Sequence, residues 1–144
     1  MIRRTIFVDA SAWIAMIDAS DGLHPDARRF WAESRNDRRR FLTSDYVLDE
    51  TYTFLRRRRR GLEMAVAIHD LVAASRLIEV AEITADLRER AWEIFVGYGD
   101  QVLSFTDCTS FALMREHRLP EAFTFDSDFR RAGFVVRPGP DAGG

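Results

Sequence analysis

The chain has 144 residues, a formal net charge of −2 and 47% hydrophobic residues, which suits one domain with a proper core. No apolar stretch is long enough to cross a bilayer, and the apolar run after the N-terminus is too short for a secretory signal. One cysteine excludes an internal disulfide, so the expected setting is reducing and cytoplasmic, with no membrane contact.

Residues 5–8 read as a buried first strand that ends at Asp9. Ser11 is placed to cap a helix through Ile17. Asp21 and Gly22 mark a turn, and Pro25 suits the first position of a second helix, where Ala27, Phe30 and Trp31 follow at helical spacing. Residues 40–43 are a short strand candidate. Ser44 or Asp45 then caps a helix to about Arg59 that Gly61 ends, and residues 62–75 form the next. Residues 77–83 alternate as a strand. Thr84 caps a helix to about Tyr98, and Thr106 caps another to about His117. Residues 122–125 are a strand, 128–132 a helical turn and 134–136 the last strand. This alternation predicts a three-layer α/β fold, with a mainly parallel central sheet flanked by helices and an inserted helical hairpin over 44–75. A single domain is expected over 1–137, with a short tail over 138–144.

Four acids stand out against this frame. Asp9 and Asp126 each follow a strand, Asp107 lies in the first turn of a helix, and Glu50 lies at the edge of the apolar stripe formed by Val47, Leu48, Thr51, Phe54 and Leu55. Ligands bind open α/β sheets in the crevice beyond the carboxyl ends of the strands. Carboxylates gathered there repel one another unless a cation lies between them, and hard oxygen ligands suit Mg²⁺ or Mn²⁺. Each acid also has an ordinary role to weigh. Glu50 on spacing alone reads by default as a surface group, and an acid such as Asp107 at a helix start is common capping chemistry. Asp49 falls on the solvated side of its helix. Ser11 and Thr106 either hold a carboxylate or water or merely cap, and Asp128 is a supporting acid beside Asp126. Cys108 and the tryptophans Trp13, Trp31 and Trp92 read as core, and His24, His69 and His117 share no ligand-like spacing.

All 21 basic residues are arginines, with runs at 38–40 and 56–60. Such runs either contact phosphates or coat a solvated face, and composition alone does not decide. An aspartyl phosphatase is a rival reading, but its second acid two residues on is replaced by Ser11, and the chain has no lysine to hold a phosphoryl group. A catalytically silent RNA-binding or scaffold module is the alternative from another class.

The stretches around Asp9-Ala10-Ser11, Asp49-Glu50-Thr51, Thr106-Asp107-Cys108 and Phe125-Asp126-Ser127-Asp128, taken in this order, resemble the PIN domain and, within it, VapC-type toxins. The resemblance implies a divalent-metal-dependent endoribonuclease of a type II toxin–antitoxin pair. Asp9, Glu50, Asp107 and Asp126 would be its catalytic and metal-binding acids, with one or two Mg²⁺ or Mn²⁺ ions, and Ser11 the hydroxyl after the first acid. It also implies an RNA substrate, a cognate antitoxin partner and a homodimer. The hairpin's apolar residues Phe54, Leu55, Leu62, Met64, Val66 and Ile68 are candidates for a partner groove.

Overall fold

A computed structural model describes residues 4–139. Strands and helices alternate as β1 (Thr5–Val8), α1 (Ala10–Ile17), α2 (His24–Asn36), β2 (Arg40–Ser44), α3 (Asp45–Arg56), α4 (Gly61–Ala74), β3 (Ile78–Ala81), α5 (Ala85–Gly97), α6 (Phe105–Glu116), β4 (Glu121–Phe123), α7 (Asp128–Arg131) and β5 (Val135–Arg137). The five strands form one sheet in the order β3-β2-β1-β4-β5, and every pairing is parallel. The tail expected over 138–144 lies, beyond Gly139, outside the described residues.

Both sheet faces are apolar because helices cover both, as a parallel sheet requires. Ile6 pairs with Phe41, and Val8 with Phe123, so these four point to one side. There Trp31 of α2 stacks on Phe41 at 4.3 Å between centroids and Phe30 lies 4.9 Å from Phe123. Phe7 points to the other side, where Phe129 of α7 stacks on it and Phe111 of α6 meets Phe129 edge-on. Trp13 of α1 is fully buried and ties its helix to the sheet: its Nε1 donates to Thr43 Oγ1, whose hydroxyl donates to the carbonyl of Val8.

The boundaries differ from expectation where hydroxyls compete for a cap. Ser104, not Thr106, caps α6: its Oγ accepts from the backbone N–H of Asp107 at 3.0 Å, leaving Thr106 in the first turn. Asp9, not Ser11, occupies the N-cap position of α1, and it makes no side-chain cap bond. Ser44 takes the α3 cap by accepting from Val47 N. Pro25 is the second helical residue, not the first. The α3 helix stops at Arg56, and Gly61 begins α4 rather than breaking α3. The turn is made instead by Arg60 at φ 58°. Glycine is needed at 61 for close approach: a Cβ there would stand 1.7 Å from the Leu55 carbonyl oxygen. Trp31 is core as expected, but Trp92 is 53% exposed and stacks on Phe95 at the surface.

Candidate metal centre

The chain leaves β1 for β2 on one side and later places β4 on the other. The crevice beyond these carboxyl ends is a topological switch point. Asp9 ends β1 there, and its backbone N–H bonds the carbonyl of Phe123 on β4. β4 stops at Phe123, earlier than expected; Thr124 stays buried with its N–H on the Arg137 carbonyl, and Phe125 and Asp126 line the crevice. Opposite stand Glu50 from α3 and Asp107 from the first turn of α6.

Asp9 and Asp107 are buried, whereas Glu50, Asp126 and Asp128 are partly buried. Carboxylate oxygens of Asp9, Glu50 and Asp107 lie within 4.8 Å of one another, as do those of Asp107, Asp126 and Asp128. Asp107 thus joins the two groups, and Asp128 comes closer to the centre than its supporting role suggested. A cleft of about 420 Å³ opens over Asp9, Glu50, Asp107 and Asp126, with Phe54 and Phe125 on its walls.

The electrostatics show what this crowding costs. Asp107 is pushed up to about 8, first by burial and then by Asp9, Asp126, Glu50 and Asp128. Burial, with Asp126, raises Asp9 as well, against hydrogen bonds from Thr124 and Ser11 and the nearby backbone N–H of Ala10, which lower it. Glu50 is raised by burial and by Asp9, Asp126 and Asp49, with the Thr106 hydroxyl pulling the other way. A divalent cation is the ligand that offsets such repulsion.

The hydrogen bonding supports that fit. Asp9 Oδ2 accepts from Ser11 Oγ at 2.9 Å and from Thr124 Oγ1 at 2.8 Å. Asp9 Oδ1 is buried and has no hydrogen-bond partner among the described residues. A buried carboxylate oxygen left without a donor carries a large desolvation cost, which coordination to a cation would remove. The ligand atoms grouped with it are carboxylate oxygens, the donor type that hard divalent cations take.

Two groups escaped the sequence reading. Thr124 donates to Asp9 and accepts the backbone N–H of Asp126 at 3.0 Å, so one hydroxyl sets the register of two acids. Ser11 Oγ completes the network, lying 3.1 Å from Thr124 Oγ1 and accepting from Phe125 N. The second is Arg58, which the sequence marked only as one member of the run 56–60 and which lines the same cleft. Only the recurrence of a hydroxyl two residues from an acid, Ser11 after Asp9 and Thr124 before Asp126, marked the first in the sequence. Cys108 is buried core beside Asp107, and burial pushes its thiol up to about 11. His24 serves the fold, its Nδ1 lying 2.8 Å from the carbonyl oxygen of Ala15.

A parallel sheet with clustered carboxylates at its switch point defines the class, that of α/β proteins whose acids could hold a divalent cation beyond the strand ends. The PIN domain family model matches residues 6–135. The 23S rRNA-specific endonuclease VapC20 of Mycobacterium tuberculosis is 45% identical over 134 residues, 92% of this chain and 98% of that protein. The crystal structure of that species' VapC20, described as a sarcin–ricin loop cleaving toxin, superposes with a TM-score of 0.82 at 43% identity, covering 90% of this chain and 96% of the other. The chain therefore belongs to the PIN domain family. The VapBC2 structure from Rickettsia felis, at 12% identity and a TM-score of 0.67 with 92% of this chain and 97% of the other covered, shares the fold.

Proposed function

We propose that the chain is a divalent-metal-dependent endoribonuclease, using Mg²⁺ or Mn²⁺, that cuts 23S ribosomal RNA at the sarcin–ricin loop as the toxin of a type II toxin–antitoxin pair in the cytoplasm. The observation that carries this reading is the buried, donor-less Asp9 Oδ1 among the carboxylates of Glu50, Asp107 and Asp126. The relationship to VapC20 supplies the substrate class.

Asp9, Glu50, Asp107 and Asp126 would hold the cation, with Asp128 beside Asp107. A bound divalent cation supplies Lewis acidity, lowering the pKa of water and offsetting charge on the phosphoryl group. Ser11 and Thr124 keep the Asp9 carboxylate turned so that Oδ1 faces away from their hydroxyls. Asp107 carries its proton up to about pH 8 in the metal-free protein, so cation binding must release that proton. No cysteine or histidine lies in the cleft to act as a nucleophile, which suits direct attack by water.

An antitoxin partner is supported by the hairpin. Leu62 and Val66 are exposed, 53% and 48%, on a shallow apolar surface with Tyr52 and Ala65, a shape that accepts an amphipathic helix. Leu55 and Ile68, by contrast, are wholly buried in the core and Met64 packs against it. Exposed Trp92 and Val96 on α5 are candidates for a homodimer contact. The test is incubation of the purified protein with 23S rRNA. Cleavage that needs Mg²⁺ or Mn²⁺, stops in EDTA and disappears in Asp9→Asn is expected. Cleavage that persists in EDTA, or in Asp9→Asn, would overturn the reading.

A further inference from the structure

The arginine run at 56–60 left open whether its charges meet phosphate or water, and one member differs from the rest. Arg56, Arg57, Arg59 and Arg60 are exposed, whereas Arg58 is partly buried. Its Nη1 donates to Asp18 Oδ2 and lies 3.7 Å from Asp21 Oδ2. Its guanidinium also lies over the ring of Phe54, 4.6 Å from the centroid.

Asp18 is itself held firmly. Its other oxygen accepts from both the backbone N–H and the hydroxyl of Ser20, and these bonds, with that from Arg58, keep its carboxyl below the usual range against the effect of burial. Asp18 is therefore a fixed anion at the C-cap of α1. It fixes the guanidinium through one nitrogen only. Among the described residues, Nε and Nη2 of Arg58 make no hydrogen bond. An arginine carries five N–H donors in a rigid fork, so most of this fork is unspent. Arg58 is among the residues that line the cleft over Asp9, Glu50, Asp107 and Asp126.

We propose that Arg58 is a phosphate clamp: Asp18 and Phe54 hold its guanidinium at the mouth of the acidic cleft so that its free N–H donors grip a phosphodiester of the RNA strand beside the bond to be cut. A fixed arginine pairs with phosphate bidentately, and one whose orientation is already set loses little entropy on binding. A crevice of carboxylates repels a polyanion, and a cation at its rim offsets that repulsion where the strand enters. The clamp rests on the endoribonuclease reading for its ligand, but not for its test.

The probe is a fluorescein-labelled RNA stem-loop bearing the sarcin–ricin loop sequence. Binding is followed by anisotropy in an Asp107→Asn background, which removes cleavage from the readout, over a range of salt. Arg58→Gln is expected to weaken binding by roughly tenfold to a hundredfold, the range for a lost charged hydrogen bond. It should also lower the slope of log affinity against log salt by about 0.7 to 0.9, one phosphate contact. Arg58→Lys should restore the slope but only part of the affinity, because lysine lacks the fork. Asp18→Asn breaks the same ion pair but keeps the Arg58 charge; it should lower the melting temperature and part of the affinity without lowering the salt slope. If Arg58→Gln and Asp18→Asn both cost stability and neither changes affinity or slope, the pair is a fold contact and the clamp is wrong. Arg58-dependent binding by a protein whose wild type cuts no RNA would sink the nuclease reading and keep the clamp. No binding at all would end the clamp, while metal-dependent cleavage by the wild type would still keep the nuclease reading.

Discussion

Replacing Asp107 by Asn should stabilise the metal-free protein, and the gain should grow with pH. Asp107 is buried and surrounded by Asp9, Asp126, Glu50 and Asp128, and its pKa stands at about 8 against 3.8 for a free side chain. The folded state therefore holds a proton that the unfolded state has released, and stability falls as pH rises between those two values. At about 1.4 kcal/mol for each pH step, the ceiling is about 6 kcal/mol at pH 8. Relaxation of the half-buried Glu50 and Asp126 towards water will return part of it. We expect roughly 2–4 kcal/mol, which for a domain of this size is a rise of about 10 °C in melting temperature. The assay is thermal unfolding by circular dichroism in EDTA from about pH 5 to pH 9. The wild type should lose stability across this window and level off above pH 8, while Asp107→Asn should fall much less. Mn²⁺ should then raise the wild-type melting temperature and leave the variant nearly unchanged, since the cation binds only the folded carboxylate set. A variant no more stable than wild type at pH 8, or a gap independent of pH, would refute the crowded-carboxylate account.

Other consequences follow from single contacts. Thr124→Val keeps the shape but removes the donor to Asp9 and the acceptor for Asp126 N, so metal affinity or kcat should drop about tenfold to a hundredfold, read by Mn²⁺ titration and by cleavage rate. Glu50→Gln should abolish most cleavage, whereas Asp49→Asn, exposed one residue earlier, should leave the rate within about twofold of wild type; equal losses would put the wrong face of α3 at the site. Gly61→Ala should cost about 3 kcal/mol or more of stability in a denaturant titration, because its Cβ would collide with the Leu55 carbonyl oxygen at 1.7 Å.

The strands were legible because parallel sheets leave short, fully apolar runs, and residues 5–8 are one with Asp9 as an abrupt stop. Asp9 and Asp126 stood out for the same reason, since each interrupts a pattern that burial would otherwise continue, whereas Asp107 stood out only as an acid in a helix first turn. Glu50 was less legible. Helical spacing put it at the rim of the apolar stripe, but only the packing of α3 beside α1 and α6 turns that rim towards Asp9 and Asp107. Phe54, read as part of the buried stripe, is 45% exposed because that rim is the wall of the cleft. The caps of α1 and α6 failed because Asp, Ser and Thr two residues apart carry the same local signal, Asp9 against Ser11 and Ser104 against Thr106, and tertiary geometry makes the choice. Thr124 was read as a strand residue, because nothing local shows that β4 ends one residue before it. Gly61 carried the mark of a helix stop, yet its cause is a contact with the preceding helix.

The measurement that bears most directly on the account is anomalous diffraction from a crystal grown with Mn²⁺ near pH 8. An anomalous peak is expected between Asp9 and Asp107, within coordinating distance of Asp9 Oδ1 and of Glu50 or Asp126. A protein that cleaves RNA under the same conditions but shows no peak there, or shows Asp9 Oδ1 bound to a hydrogen-bond donor instead, would contradict it.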